Sequence, residues 1–81
     1  MTTEEALIEI SQIRSRQKKE QIGATRFELM KWTGRTLRDT LADLREMTDA
    51  GVVSCHPTVN AVFYKFTNKA YYSPKPQTAK Q

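Results

Sequence analysis

Residues 36–51 read TLRDTLADLREMTDAG and carry the clearest helical pattern in the chain. Apolar residues recur there at steps of four, three and three, on one side of an α-helix: Leu37, Leu41, Leu44 and Met47. Thr36 precedes the run as a predicted N-cap with Asp39 at the capping-box position, and Gly51 follows as a C-terminal stop. We therefore expect a helix from about Thr36 to Ala50 that is buried along its leucines.

The outward side of this predicted helix divides into two stripes of opposite character. The basic stripe contains Arg38, Ala42 and Arg45, and the acidic stripe contains Asp39, Asp43 and Glu46. An exposed ion pair between Arg45 and Asp49 would account for part of the negative charge. The helix can thus present a row of arginines to a partner, with carboxylates beside it.

Two further helices are predicted upstream. Thr2 and Glu5 have the spacing of a capping box, which opens a first helix that we expect to end near Lys18. Thr25 caps a short second helix, and Gly34 permits the tight turn into the third. Trp32, at this corner, is expected to be core.

Downstream, the chain predicts a β-hairpin and then a tail. Residues 52–55 are short and β-branched, residues 57–60 are turn-forming, and residues 61–66 alternate in character. We expect Cys55 to be a small buried residue. Residues 68–81 lack periodicity and are expected to form a flexible basic tail after a domain at residues 1–67.

The order helix, short helix, glycine turn, longer helix, glycine and hairpin resembles the winged helix-turn-helix superfamily of small bacterial and phage transcriptional regulators. The residues that carry the resemblance lie in residues 25–67, chiefly the turn at Thr33-Gly34, the spacing of the third helix, and Phe63-Tyr64-Lys65-Phe66-Thr67. In size and layout the chain is similar to the FaeA family. The resemblance implies an α+β, mainly α fold with a C-terminal hairpin wing.

Charge and cysteine content narrow the functional classes. Residues 1–49 hold nine basic and nine acidic residues, whereas residues 50–81 hold four lysines and no acid, so the surplus of +4 lies late in the chain. Such a segment suits a polyanion, although a basic tail kept for solubility remains an alternative. The single cysteine excludes an internal disulfide and fits a cytoplasmic protein, and no apolar run suggests a signal peptide or membrane span.

Catalysis and cofactor binding find no support in the sequence. Cys55 and His56 are neighbours on a predicted strand and would point to opposite faces, so they cannot form a nucleophile–base pair. One cysteine and one histidine are too few for a structural zinc site. We expect no enzymatic activity, no metal and no small-molecule cofactor.

The resemblance implies that the third helix enters the major groove of double-stranded DNA, which is about 12 Å wide and admits one helix. The predicted DNA-binding residues are Arg26, Arg35, Thr36, Arg38, Ala42, Arg45, Lys65 and Lys69. The hairpin tip has no Lys or Arg, so Lys65, Lys69 and the tail are assigned to phosphates. Tyr71 and Tyr72 would either join them or pack over the first helix.

The expected function is sequence-specific DNA binding in transcription regulation, with a homodimer or a protein partner supplying affinity. Phe63 is expected to pack under the tail or to mark a dimer surface. One alternative is a winged-helix protein-interaction module, such as a phage or plasmid adaptor or inhibitor, which the acidic stripe favours. Another is a phage replication or excision accessory factor.

Overall fold

Three α-helices, a small antiparallel sheet and one 3-10 helix make up the part of the chain that the structure describes. The computed structural model describes residues 1–20 and 22–73. The helices are α1 (Thr3–Arg16), α2 (Arg26–Thr33) and α3 (Leu37–Asp49), the strands are β1 (Ala24–Thr25), β2 (Val53–Pro57) and β3 (Val62–Phe66), and a 3-10 helix follows at Lys69–Tyr71. The predicted α+β class, with three helices and a C-terminal hairpin, is confirmed.

Side-chain caps determine where the helices begin. Thr2 and Thr25 each accept a hydrogen bond from the third residue of their helix, and Glu5 and Glu28 reciprocate, so both capping boxes form. Thr36 caps α3 by accepting from the Asp39 amide at 3.2 Å. The predicted starts are therefore confirmed, while α1 ends at Arg16, two residues earlier than expected.

The turn between α2 and α3 depends on a glycine. Gly34 has φ of +74°, a left-handed conformation that side chains disfavour, and its amide donates to the Met30 carbonyl at 2.8 Å. Only Arg35 and Thr36 then separate Gly34 from α3. The two helices consequently form a tight helix-turn-helix unit.

The sheet has the order β1-β3-β2 and includes a strand that the sequence pattern did not predict. β2 and β3 form the expected hairpin, with Val53 opposite Phe66 and Pro57 opposite Val62. β1 contributes only Ala24 and Thr25, which pair with β3. A two-residue strand is too short to show alternation, and tertiary pairing alone reveals it.

The core lies between the helices and one face of the sheet. Its buried apolar members are Ala6, Leu7, Ile10, Ala24, Leu29, Leu44, Val53, Phe66 and Tyr72. α3 contributes Leu44, which is 1% exposed, together with Thr40, while Leu41 and Met47 are half-buried. The prediction that Leu37 is buried is wrong, because it lies in the first turn and is 38% exposed.

Two other burial predictions are also wrong. Trp32 is 42% exposed, and it lines a surface depression with Ile10 and Ile13 of α1 rather than lying in the core. Cys55 is exposed, although it shares a sheet face with buried Val53. The accessible side chains from Cys55 onward place that half of β2 beyond the covered part of the sheet.

The packed part of the chain continues past Thr67, where the sequence placed the domain boundary. Tyr72 is 6% exposed and its ring stacks on Phe66, with centroids 5.9 Å apart. Gln12 of α1 donates its side-chain amide to the Tyr72 carbonyl at 2.5 Å. This segment therefore packs over the first helix, as one of the two interpretations of the tyrosines expected, and residues 74–81 lie outside the described residues.

Candidate nucleic-acid interface

The outward face of α3 has the arrangement that its periodicity predicted. Thr40 and Leu44 anchor the helix in the core, and Arg38, Ala42 and Arg45 are exposed on the other side. In the described part of the chain, neither arginine has an ion-pair partner, and the expected Arg45–Asp49 pair is not formed. Two guanidinium groups are thus free to bind an external acceptor.

The entrance to α3 differs from expectation, because Arg35 is not free. Its Nε lies 2.9 Å from Oδ2 of Asp43, and Nη2 lies 3.5 Å from Oδ1. Thr3, which is buried near the start of α1, donates its hydroxyl to the same carboxylate. Arg35 therefore neutralises Asp43 and is a weaker candidate for base contact than Arg38.

This network also changes the acidic stripe. Asp43 was expected to face outward, but it is half-buried and joins α3 to α1 through Thr3. Asp39 and Glu46 are exposed, as expected. The exposed carboxylates beside the arginine row, which is the basic stripe of Arg38, Ala42 and Arg45, follow in this order along α3: Asp39 in the first turn, Glu46 further along, and Asp49 at the end.

Arg14, in the last turn of α1, and Arg26, the first residue of α2, both contact other groups of the fold. Arg14 donates to the Gly23 carbonyl and forms an ion pair with Glu28. Arg26 is half-buried, with its guanidinium carbon 5.1 Å from the centroid of the Phe27 ring. Arg14 therefore links α1 to α2, whereas Arg26 is partly buried beside the Phe27 ring and is a weaker candidate for DNA contact than the exposed arginines of α3.

The remaining predicted cations lie away from α3. Lys69 is exposed and lines a groove with Arg16 between the end of α1 and the 3-10 helix. Because α1 has 14 residues, this groove lies roughly 20 Å along the helix axis from Thr3, where α1 meets Asp43. Lys65 is half-buried on β3, opposite Ser54. The predicted residues are thus distributed over α3, the start of α2, β3 and the groove beside Lys69, rather than gathered on one element.

The hairpin carries one polar contact that the sequence reading missed. Ser54 Oγ lies 2.7 Å from His56 Nε2, and the two residues are two apart on β2, so they share a face. Phe63, opposite His56, is half-buried on that same face. At the tip, Thr58 accepts from and donates to Ala61, which leaves Val59 in solvent and no cation in the turn.

Glu28, at the interface between α1 and α2, has a carboxyl whose pKa is shifted from its usual value. Burial raises the pKa of this carboxyl. Hydrogen bonds from Arg14 and Thr25, together with the Arg14 charge, lower the pKa by more than burial raises it, so the pKa lies below the usual glutamate value. Ionised Glu28 thereby stabilises the folded state at neutral pH, and this stability is lost as the pH falls through the pKa of the folded protein.

We therefore expect Glu28→Gln to lower the free energy of unfolding at neutral pH, with a difference from wild type that shrinks on acidification. Urea unfolding from neutral pH to about pH 3 measures this difference. Glu9→Gln, at an exposed position of α1, is the control and should have little effect at any pH. A Glu28→Gln deficit that stays constant across the range would contradict the assignment.

Comparisons with protein-family models, curated proteins and solved structures give no significant match to the chain. Within residues 1–20 and 22–73, no helix has the length and apolar character needed to cross a membrane.

Proposed function

We propose that the protein binds double-stranded DNA in the cytoplasm, without enzymatic activity, and regulates transcription through α3. The observation that carries this proposal is the free arginine row: Arg38 and Arg45 flank Ala42 on the exposed side of a helix that Thr40 and Leu44 anchor. A helix held in this way can enter a major groove without leaving the core. The helix-turn-helix unit and the hairpin are compatible with the winged-helix class.

The chemistry of the row suits base edges and phosphates. A guanidinium group can donate two parallel hydrogen bonds to O6 and N7 of guanine, and we assign this contact to Arg38 in the first turns of α3. Ala42 is short enough to meet a thymine methyl group. Arg45 lies two turns further along and is assigned to the phosphate backbone or to a second base.

A second set of contacts would be independent of sequence. Arg16 and Lys69 come from distant parts of the chain yet line one groove, and none of the described residues that line it with them is a carboxylate. They are assigned to phosphates outside the groove that α3 enters. Such contacts position a protein on DNA without reading its sequence.

The proposal is tested by titrating a labelled random duplex with the protein at increasing salt. Each phosphate that the protein neutralises should contribute roughly 0.9 to the negative slope of log K against log salt. We expect a slope of about −3 to −5, because Arg38, Arg45, Arg16 and Lys69 are the main free cations assigned to DNA. Absence of duplex binding at low salt, from a folded protein, would contradict the proposal.

A protein-interaction module is the second candidate function, and the exposed carboxylates of α3 favour it. Asp39, Glu46 and Asp49 lie beside the arginine row and repel phosphates. A folded protein that shows no duplex binding at any salt concentration in the titration would support this candidate.

Breaking the Arg35–Asp43 ion pair should increase the affinity of the protein for DNA. In Asp43→Asn, the side chain can still accept from Thr3, but it no longer neutralises Arg35, so we expect duplex binding at low salt to tighten roughly three- to ten-fold. Fluorescence anisotropy measures the change.

Asp49→Asn is the matched control, because it makes the same chemical change and removes the same charge at the exposed C-terminal end of α3, away from the Arg35–Asp43 pair. The gain from Asp43→Asn should exceed that from the control and should disappear when Arg35→Ala is added. Equal gains from both single variants would show that Arg35 is not the group released.

A further inference from the structure

Asp39, in the first turn of α3, has a carboxylate that the fold does not use. The residue is exposed, and among the described residues no hydrogen bond or ion pair engages its side chain. It stands at the capping-box position, where Glu5 of α1 and Glu28 of α2 each accept a hydrogen bond from the backbone of their N-cap residue. Thr36, the N-cap of α3, makes only the other half of the box, in which its hydroxyl accepts from the Asp39 amide. Capping therefore does not account for the Asp39 carboxylate.

The length of the side chain explains the missing half of the box. A capping box normally has Glu or Gln at this position, and the Asp39 side chain is one methylene shorter than that of glutamate. Interaction with the positive end of the α3 dipole is the local role that is left to this carboxylate. That role alone would have no effect on which bases the protein prefers.

Arg38 and Asp39 stand on either side of Ala42 on the outward face of α3. With 3.6 residues per turn, Ala42 lies about 40° around the helix axis from Arg38 and about 60° from Asp39, in opposite directions. All three residues are exposed, and the methyl group of Ala42 is too short to keep a partner away from the two charged side chains. A helix that enters a groove with Ala42 foremost therefore brings both Arg38 and Asp39 towards base edges.

A carboxylate in the major groove discriminates between bases chiefly by repulsion. Guanine presents the acceptors O6 and N7, thymine presents O4, and adenine presents N7 beside its amino group. Each of these acceptors repels a carboxylate that has lost its water. Cytosine instead presents the N4 amino group, which donates a hydrogen bond to Asp or Glu. An acid in this position therefore favours cytosine over the other three bases.

We propose that Asp39 is a specificity-determining residue, which selects a cytosine at a base pair adjacent to the guanine that Arg38 binds. The inference rests on the proposed DNA binding by α3 and extends it to a second base. The two side chains leave the helix axis about 100° apart, which directs them to different base pairs rather than to the same one. Because the same carboxylate repels phosphates, this selectivity comes with a lower affinity for random DNA.

Selection from random duplex DNA, repeated with two Asp39 variants, tests the proposal. For the wild-type protein we expect cytosine to be preferred at least about five-fold next to the guanine whose preference depends on Arg38. Asp39→Ala removes the acceptor and should abolish the cytosine preference. Asp39→Asn introduces a donor and should change the preferred base to adenine, whose N6 and N7 an asparagine can bind together. The guanine preference should persist in both variants.

Asp49→Asn is the matched control, because it makes the same chemical change at an exposed position about 15 Å further along the axis of α3. Asp39→Asn and Asp49→Asn each remove one negative charge, so both should bind a random duplex more tightly at low salt. Only Asp39→Asn should change the selected motif. Both positions are exposed, so circular dichroism should report an unchanged fold.

A motif that has no cytosine preference beside the Arg38-dependent guanine would overturn the proposal. A cytosine preference that survives in both Asp39→Ala and Asp39→Asn would overturn it as well, and would leave Asp39 with the helix dipole alone. In either case DNA binding by α3 would stand. Absence of duplex binding by the folded protein would instead contradict the proposed function and this inference together, so the two failures are distinguishable.

Discussion

Replacing Leu44 with alanine should lower the free energy of unfolding by about 2–5 kcal/mol, the largest effect we expect on stability. Leu44 is 1% exposed and fixes α3 against the rest of the core, so its removal leaves a cavity and loses buried apolar contact. Small domains are stabilised by only about 5–15 kcal/mol in total, and an 81-residue chain belongs at the lower end of that range. Urea unfolding followed by circular dichroism measures the loss.

Leu37→Ala is the matched control, since it makes the same chemical change in the same helix. Leu37 is 38% exposed, so we expect a loss below about 1 kcal/mol. Leu44→Ala should therefore shift the urea midpoint far more than Leu37→Ala does. Comparable losses would mean that α3 is anchored along the full row of leucines, contrary to the packing described above.

Arg38→Ala should give the largest effect on DNA recognition. If Arg38 donates two hydrogen bonds to a guanine, its loss should cost about 1–3 kcal/mol at one base pair and relax the preference at that position alone. Competition between a preferred duplex and single-base variants measures this change. Arg38 is exposed and unpaired among the described residues, so the substitution should leave the fold intact.

Lys69→Ala provides the contrast, because it removes one positive charge from the groove that Arg16 shares. We expect it to weaken binding to all duplexes alike and to reduce the salt slope by about 1. Arg38→Ala should therefore change the sequence preference of binding, whereas Lys69→Ala should lower the affinity for every duplex by a similar factor. An Arg38→Ala protein that keeps wild-type preference at every base pair would remove Arg38 from the reading contacts.

The helices and their caps could be predicted because their signals are local. Thr2, Thr25 and Thr36 each stand directly before a helix, and Gly34 follows α2 at the position that requires positive φ. The exposed row on α3 could be predicted for the same reason, since helical periodicity alone determines which side is opposite Leu44.

Apart from the local contacts Ser54–His56 and Arg35–Asp43, the contacts that escaped prediction depend on segments that are distant in sequence. Asp43 is 40 residues from Thr3, and no pattern within α3 shows that α1 supplies a donor to its carboxylate. Tyr72 is buried because Phe66 and Gln12 meet it, although its own neighbours read as a polar tail.

Trp32 is the reverse case, a residue predicted to be buried that is exposed. An aromatic residue at a helix corner is usually core, but Trp32 is 42% exposed. Leu29 is buried, whereas Phe27 and Trp32 are exposed. Trp32 lies one turn after Leu29, at i+3, so helical periodicity alone would place it near the buried side and does not predict its exposure. Leu29 is the buried residue of α2, and the other elements leave Phe27 and Trp32 uncovered.

Selection of bound fragments from random duplex DNA is the most direct test of the central claim, that the outward face of α3 reads a DNA sequence. For the wild-type protein we predict enrichment of a short motif containing a guanine whose preference disappears when the selection is repeated with Arg38→Ala. A folded wild-type protein that enriches no motif, or one whose motif is unchanged by Arg38→Ala, would contradict it.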